Sequence, residues 1–453
     1  MAENQWNQPG ESPLGHNSTR LEEIAVVSLR AAPGDPRRYS EPDIERAMNV
    51  LRDAPAGVPF PIVVNDELEV LVGGIFVQAA RKLDFKTLLV VRHAGLTKLE
   101  QKQYSIAINR LLACGEWNPT AFEIWLRELE DGVEDFSHAS IGFSNGELDQ
   151  ILGMADEIAG GGADEVPPWQ PVAVSQPGTV WEAGRHRVSV GDSTKAADVA
   201  RSMGGHTAAA AFTDPPFGCK VDGFVSAKGK HREFVEGSGV PPDEMFLLFL
   251  AFANALAPIL RAGALVYVFI DWRSLSILQR ALEEVFGPLV QFCCWVKNRK
   301  GMGSFYRSQH ELILVHRMPG GPHTNNVQLG RYGRNRSNVW DYPSAASSRN
   351  GREGDMLKNH PTPKPVELVA DALLDCTAHG DRVIDCFLGS GTTLIAAERT
   401  GRICHGMDLD PLYIDVAIRR WQAWTGLDAI DSESGKTFNQ IADDMAQGGD
   451  DND

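Results

Sequence analysis

The stretch at 381–410, DRVIDCFLGSGTTLIAAERTGRICHGMDLD, decides how the second half of this chain folds. An apolar run (RVIDCF) leads into a glycine-rich turn (LGSG), a helical segment (TTLIAAERTG) and a second apolar run (ICHGMDLD). Glycines allow a sharp turn and let the backbone approach a ligand closely. Asp408 follows the turn by about 20 residues, where an acid can accept hydrogen bonds from ribose hydroxyls. The pattern predicts a strand–helix–strand unit that binds a nucleoside-containing ligand; the alternative is a structural unit that binds nothing.

The same alternation of apolar runs and helical segments extends over residues 173–426. The strand-like runs are HRVSVGD, TAAAAFTD, ALVYVFID, FCCWVK, ELILVHR, DRVIDCF and ICHGMDLD. Helical stretches such as EMFLLFLAFANALAPILRA and KPVELVADALLDCT lie between them. Alternation of this kind predicts an α/β domain with a doubly wound, mostly parallel sheet covered by helices.

A second motif ends one of these strands. The run AAAAF at 208–212 reads as a buried strand, and it stops on Thr213-Asp-Pro-Pro-Phe217. Two prolines stiffen a turn, and an acid followed by an aromatic ring is an unusual way to leave a core strand. Taken alone, the motif favours a rigid structural turn after a strand over a functional site.

Together, DCFLGSGTT, TDPPF and the HPTPKP element at 360–365 resemble the amino-group DNA methyltransferases that use S-adenosylmethionine. Because TDPPF precedes the glycine-rich motif, the order resembles the circularly permuted β group. The resemblance covers about 173–426. It implies a Rossmann-like S-adenosylmethionine-dependent methyltransferase fold acting on double-stranded DNA. Family members more often carry Glu where this chain has Asp408, and either acid can bind a ribose.

The resemblance implies a role for each residue of the DPPF turn. An exocyclic amino group is a poor nucleophile, because its lone pair is conjugated with the base. The Asp214 carboxylate and the Pro215 carbonyl would each accept one N–H bond and turn that lone pair toward the methyl donor. Pro216 would stiffen the turn, and Phe217 would stack on a base extruded from the helix. The methyl group is already activated on a sulfonium, so no metal is required.

The cofactor would be held by the glycine-rich turn and its surroundings. The residues that the resemblance assigns to S-adenosylmethionine are Asp385, Phe387, Gly389, Gly391, Thr392, Thr393, Asp408, Lys364, Thr362 and Asp192. Lys364 and Thr362 would lie near the methionine part, and Asp192 near the adenine.

The first residue of the DPPF motif bears on the target base. Family members with Asp at this position are mostly adenine-N6 enzymes, whereas Ser is commoner in cytosine-N4 enzymes. Asp214 therefore favours adenine, and cytosine-N4 methylation is the alternative. An RNA or protein-amide methyltransferase, and a DNA-binding regulatory protein with an inert second domain, also remain open.

The net charge of −17 argues against nucleic acid, because phosphate contacts need Lys and Arg. Charge is uneven, however, since residues 295–365 hold 12 Lys and Arg against 4 Asp and Glu. Either this segment forms a basic face on an acidic protein, or it is a solvated loop with spare arginines. The candidates for DNA contact are Lys297, Arg299, Lys300, Arg307, Arg331, Arg334 and Arg336. Target recognition is expected here and in the loop 218–242.

The N-terminal domain, 21–130, resembles the small α+β ParB/sulfiredoxin-like domain over about 21–115, through VPFPIVVNDELEVLVGGIFVQAARKLDFKTLLVVR. That family carries GxRR where this chain has Gly74-Ile-Phe-Val77, so the arginines that would hold a nucleotide's phosphates are missing. The domain is expected to be a scaffold or to position DNA, in a pairing similar to methyltransferases of phages and prophages.

The remaining segments complete the expected organisation. Residues 1–20 are expected to be disordered, 131–172 to form a linker, and 427–453 to be an acidic, disordered tail. Seven cysteines without a CxxC pair indicate a reducing cytoplasm. No secretion signal and no membrane span is predicted. A homodimer is expected from the resemblance.

Overall fold

The computed structural model describes residues 19–33, 36–53, 62–112, 117–133, 136, 138–152, 166–168, 170–218, 239–301, 305–328, 334–343 and 364–449. The chain divides into two compact units, Met1–Ser144 and Asn145–Asp453. The boundary therefore falls inside the segment 131–172 that was expected to be a linker. Residues 1–18, which hold most of the expected disordered terminus, lie outside the described residues.

The first unit contains a five-stranded sheet in the order β1-β5-β3-β4-β2. Its strands are β1 (Thr19–Ala25), β2 (Arg30–Ala31), β3 (Ile62–Val64), β4 (Glu69–Val72) and β5 (Thr87–His93). The turn predicted at Asn65-Asp66 joins β3 to β4. The Asn65 side chain builds this turn, because its Oδ1 accepts hydrogen bonds from the backbone N–H groups of Glu67 (3.1 Å) and Glu69 (2.8 Å).

Four α-helices surround this sheet in the described residues: α1 (Glu41–Asp53), α2 (Gly74–Lys82), α3 (Lys98–Leu111) and α4 (Pro119–Gly132). Helix α2 buries Val77, Ala79 and Ala80 against the sheet. The two cations at its end are both engaged within the unit. Arg81 donates to the Leu29 carbonyl (2.5 Å), and Lys82 pairs with Glu41.

The second unit is built on a ten-stranded sheet in the order β12-β10-β11-β9-β8-β13-β14-β7-β6-β15. Only β6 and β11 run opposite to the other eight strands. The strands are β6 (Val180–Ala183), β7 (His186–Val190), β8 (Ala208–Thr213), β9 (Leu260–Ile270), β10 (Gln291–Val296), β11 (His310–Arg317), β12 (Val339–Asp341), β13 (Arg382–Asp385), β14 (Ile403–Asp408) and β15 (Ile430–Asp431). The predicted mostly parallel sheet is confirmed.

Helices cover both faces of this sheet, so its central strands lack polar alternation. All six residues of β8 are buried, as are the last eight of β9. The helices are α5 (Asn145–Ile151), α6 (Ala196–Met203), α7 (Pro242–Leu256), α8 (Leu275–Phe286), α9 (Val366–Cys376), α10 (Thr392–Arg399), α11 (Pro411–Thr425) and α12 (Phe438–Gly449).

Helix α7 and the turn after it form, in the described residues, a segment of 18 residues that could cross a membrane by length and composition. Met245, Phe249 and Phe252 of this helix are fully buried in the core of the second unit, together with residues of β8 and β9. Its apolar character is therefore explained by packing beneath the sheet.

The expectation of a disordered tail from 427 is wrong for residues up to 449. Strand β15 pairs with β6, and α12 follows it. Phe438 is fully buried, with its ring 5.2 Å from that of Trp181. Burial of a large aromatic side chain outweighs the acidic composition around it.

Part of the expected linker is also structured. Helix α5 places Asp149 against the buried Arg402, which donates to the carboxylate over 2.8 and 3.1 Å. The composition of residues 131–172 does not indicate this contact, because Arg402 lies just before β14, more than 250 residues away in the sequence.

Candidate active site

The two sequence motifs meet at one edge of the large sheet. Strands β8 and β13 are parallel neighbours, and the chain leaves them in opposite directions, toward β9 and toward β14. This is a topological switch point, where open α/β sheets form a crevice at the carboxyl ends of their strands. Asp214 follows the end of β8, and the turn 386–391 follows the end of β13.

A buried carboxylate ties the two strand ends together. Asp385 accepts hydrogen bonds from the hydroxyls of Thr213 (2.9 Å) and Thr393 (2.6 Å), and from the backbone N–H of Phe387 (3.1 Å). Burial raises the pKa of Asp385 to about 6, although these three hydrogen bonds act in the opposite direction. Asp385 and Thr393 thus fix the geometry of the turn.

Asp214 belongs to a chain of alternating charges. Its Oδ2 contacts the ammonium of Lys364, which also lies 3.3 Å from Oε2 of Glu311. The other oxygen of Glu311 pairs with Lys297. Burial together with the neighbouring Glu311 raises the pKa of Asp214 against the attraction of Lys364. The two lysines outweigh burial at Glu311 and lower its pKa to about 2.

One oxygen of Asp214 remains available for a ligand. Its Oδ1 is buried and has no hydrogen-bond partner among the described residues. An unpaired buried acceptor costs free energy, so this atom fits a donor that arrives with a ligand. Next to it, Pro215 is buried, while Pro216 and Phe217 are half-buried.

The rest of the DPPF turn is held from a neighbouring element. Ser274, at the start of α8, donates its hydroxyl hydrogen to the Phe217 carbonyl (2.6 Å). The Lys364 ammonium lies 5.8 Å from the centre of the Phe217 ring. These contacts tie the Phe217 backbone to the start of α8 and place its ring near the Lys364 ammonium.

The glycine-rich turn closes against the next strand. Asp408, at the end of β14, accepts hydrogen bonds from the backbone N–H groups of Gly389 (2.9 Å) and Asp410 (3.0 Å). Gly391 has φ +83°, and a Cβ there would lie 2.8 Å from Cβ of Ala417. The turn therefore requires glycine at this position. Burial raises the pKa of Asp408 to about 7.

The other residues assigned to the cofactor have more varied surroundings. Phe387 is partly buried, and its ring lies 5.3 Å from that of Phe252. The Thr392 hydroxyl donates to the Lys364 carbonyl (3.3 Å). Asp192 follows β7 at the same edge and accepts from the hydroxyl (2.6 Å) and N–H (2.9 Å) of Thr194. Thr362 lies outside the described residues.

Lys364, which the resemblance assigns to the methionine part of the cofactor, has a side chain that is 7% exposed and contacts Asp214 and Glu311. A buried ammonium requires anionic partners, and the two carboxylates supply them. Only its backbone carbonyl faces the glycine-rich turn, through Thr392.

The hairpin β10–β11 extends from this same edge, because β10 runs parallel to β9 and β8. Arg299, Lys300 and Arg307 are exposed on it. Phe305 and Tyr306 are 84% and 83% exposed, with ring centres 4.2 Å apart. Lys297, expected to contact DNA, instead pairs with Glu311 at the root of the hairpin.

Arg334 and Arg336 are also placed differently from the expectation of DNA contact. Both pair with Asp371 and Asp375 of α9, and their side chains are only 10% and 21% exposed. Their charge is thus neutralised inside the unit. Arg331, the seventh candidate, lies outside the described residues.

Two residues of the site had no role in the sequence interpretation. Glu311 lies at the second position of β11, and Ser274 precedes α8. An acid directly before the apolar run LILV was the available signal for Glu311. Ser274 carried no signal, because its partner is a backbone carbonyl in another segment.

Comparison with known proteins agrees with the placement of these motifs. Residues 208–419 match the N6_N4_Mtase family, described as DNA methylase. The type II methyltransferase M.HpaI of Haemophilus parainfluenzae is 27% identical over 250 residues, which cover 51% of this chain and 74% of that protein. The DNA adenine methyltransferase YhdJ of Escherichia coli (strain K12) is 34% identical over 113 residues, which cover 25% of this chain and 34% of that protein.

Solved structures show more distant similarity. PvuII DNA methyltransferase, named as cytosine-N4-specific, is 18% identical with a TM-score of 0.41, covering 62% of this chain and 94% of that chain. A C-terminally truncated ParB of Caulobacter crescentus, complexed with CTP-γ-S, is 24% identical with a TM-score of 0.25, covering 31% and 82%. With TM-scores this low, the description of the fold rests on the strand order of this chain itself. The match to the DNA methylase family spans residues 208–419 and includes both the DPPF turn and the glycine-rich turn.

Proposed function

We propose that the protein transfers a methyl group from S-adenosylmethionine to the exocyclic N6 amino group of adenine in double-stranded DNA. The observation that carries the proposal is the unpartnered Oδ1 of Asp214, buried at the switch point directly beside the glycine-rich turn. An acceptor with no donor among the described residues and a turn suited to a nucleoside thus lie at the same end of two neighbouring strands. Such a pair is what amino-group methylation needs.

The cofactor side of the crevice consists of the turn 386–391 and the strand ends beside it. Asp408 would accept the ribose hydroxyls, and the half-buried Asp192 at the end of β7 would lie near the adenine. Phe387 flanks the turn, and Gly391 lets the turn pack closely against Ala417 of α11. The cofactor supplies a sulfonium-activated methyl group.

The substrate side uses the DPPF turn. Asp214 Oδ1 accepts one amino N–H and the Pro215 carbonyl accepts the other, which directs the nitrogen lone pair at the methyl group. Transfer would be one direct displacement, in which the N–C bond forms as the S–C bond breaks and the methylated nitrogen releases one proton to water. Phe217 stacks on the base, which leaves the helix at a cost of a few kcal/mol.

Adenine is preferred over cytosine because Asp stands first in the DPPF motif. The alternative is cytosine-N4 methylation, which uses the same two acceptors on a smaller ring. YhdJ, a relative over a quarter of this chain, is named as an adenine enzyme, which supports the first choice.

DNA would approach across the hairpin β10–β11. Its exposed Lys300 and Arg307 supply positive charge for phosphates, and Phe305 and Tyr306 offer rings on which bases stack. The N-terminal unit is proposed to position DNA without hydrolysing a nucleotide, because the phosphate-binding arginines of the ParB-like pattern are missing. The described cysteines are free thiols, in keeping with the cytoplasm.

The decisive experiment measures transfer of labelled methyl groups from S-adenosylmethionine to unmethylated DNA, with Asp214→Ala as the paired variant. We expect label on adenine that the variant reduces by about 100-fold or more, while cofactor binding stays unchanged. Label on cytosine would establish the alternative. Cofactor binding without any label on DNA would redirect the search to RNA or protein.

A further inference from the structure

Lys364 holds two carboxylates at once, and this arrangement has a consequence for substrate entry. Its ammonium contacts Asp214 Oδ2 and lies 3.3 Å from Glu311 Oε2. Lys364 and Glu311 are only 7% and 8% exposed, so neither charge has access to much water. The Asp214 side chain, in contrast, is 25% exposed.

An amino group on Oδ1 of Asp214 shares the carboxylate with this ammonium, which contacts Oδ2. Charge-assisted hydrogen bonds from an ammonium are about twice as strong as those from neutral donors. A base that enters while Lys364 still contacts Asp214 therefore binds a carboxylate whose negative charge is partly neutralised. Lys364 cannot simply leave, because an unpaired buried ammonium is strongly disfavoured.

Resting on the proposed function, we infer that Glu311 is a positioning residue that receives the Lys364 ammonium when the target amino group binds Asp214. The distance of 3.3 Å exceeds that of a short charge-assisted bond, so a shift of a few tenths of an ångström completes the second pair. The ammonium stays paired throughout, and Asp214 becomes fully available to the base. Lys297 holds Glu311 in place from the opposite side.

The alternative is that Glu311 only stabilises the fold through its two ion pairs. The two roles differ in what they do to kinetics. A structural role changes stability and affects cofactor and DNA alike. If Glu311 receives the ammonium, its replacement impairs binding of the target base, and this effect depends on Lys364.

The test compares Glu311→Gln with the wild type in steady-state methyl transfer at saturating cofactor. The glutamine keeps the shape but cannot hold an ammonium as strongly, so Lys364 stays on Asp214. We expect kcat/KM for DNA to fall at least about tenfold, with the Kd for S-adenosylmethionine within about twofold of wild type. Glu311→Asp should recover part of the loss. Arg261→Met, which removes the Arg261–Asp381 pair before β13, is the matched control.

Two further arms separate the explanations. DNA in which the target base is mismatched lowers the cost of extrusion, but the defect of Glu311→Gln should persist on it, because the ammonium must still move. In a double-mutant cycle, Glu311→Gln should cost much less in a Lys364→Met background.

A wild-type protein that fails to methylate DNA would refute the proposed function, independently of Glu311. Wild-type activity with an unchanged Glu311→Gln variant would overturn the inference alone, as would additive effects in the cycle or full recovery on mismatched DNA. If Glu311→Gln melts below assay temperature, Glu311→Asp decides by the same kcat/KM and cofactor readouts.

Discussion

The hydroxyl of Thr213 donates a hydrogen bond of 2.9 Å to the buried carboxylate of Asp385, and this contact joins the two motifs of the site. Thr213 ends β8 one residue before Asp214, and Asp385 ends β13 at the start of the glycine-rich turn. A displacement of either strand end would therefore move the proposed base acceptor relative to the cofactor turn. Catalysis of a direct displacement depends on such positioning.

Replacing Thr213 with Val tests this coupling. The variant keeps the shape but leaves Asp385 without one donor, so we expect the free energy of unfolding to fall by about 1–3 kcal/mol. We also expect kcat to fall, because Asp214 is no longer held in register. Thr400→Val is the control, since the buried Thr400 hydroxyl bonds only to helix carbonyls. Urea denaturation and methyl-transfer rates give both quantities; equal kcat values in the two variants would contradict the coupling.

Cofactor affinity should depend on pH through Asp408. Burial raises the pKa of this carboxyl to about 7, and ribose hydroxyls donate best to the ionised form. Below pH 7 binding must first remove a proton, so affinity should fall by up to about tenfold for each pH unit. Calorimetric titration with S-adenosylmethionine from about pH 5.5 to about pH 8.5 measures this dependence. Asp408→Asn should bind more weakly and lose most of the slope; an unchanged slope would point to Asp385.

The exposed aromatic pair on the hairpin should contribute to DNA affinity. A double variant, Phe305→Ala with Tyr306→Ala, removes two rings that are more than four-fifths exposed, so stability should hardly change. If the rings stack on bases, the Kd for duplex DNA should rise about tenfold, as expected for a stacking contribution of 1–3 kcal/mol. Trp424→Ala, at a 42% exposed tryptophan in α11, is the control. Fluorescence anisotropy with labelled DNA decides, and equal affinities in both variants would exclude the stacking role.

Arg336 should matter for stability, whereas Lys300 should matter for DNA. Arg336→Met leaves Asp371 and Asp375 short of a partner, so we expect a loss of about 3–5 kcal/mol in the free energy of unfolding. Lys300→Gln removes an exposed charge and should leave stability unchanged. It should reduce the slope of log K for DNA against log salt by about one. A stable Arg336→Met protein with a reduced salt slope would instead support contact between Arg336 and DNA.

Local sequence was sufficient for the elements of the site. The apolar runs around 208–213 and 381–385 predicted buried strands, and both are central in the sheet. Asp214 follows one strand of this parallel sheet and Asp408 ends another, and the structure places both at the carboxyl ends of the strands. These inferences need only residues a few positions apart, because strand pattern and turn chemistry are properties of short segments.

The ion pairs between residues far apart in sequence follow from the tertiary structure and are not indicated by the local sequence. Lys364 and Asp214 are 150 residues apart in sequence, and nothing local distinguishes a lysine that contacts a cofactor from one that pairs with the base acceptor. The sequence around Arg334 and Arg336 indicates a basic segment. In the structure, Asp371 and Asp375 of α9 pair with these two arginines. The acidic segment after residue 427 likewise folds, because the Phe438 ring packs against Trp181. The strands, the turns and the chemical groups they carry can be predicted from local sequence. Packing determined their partners, because a buried charge or ring takes its role from whatever the fold places within a few ångströms.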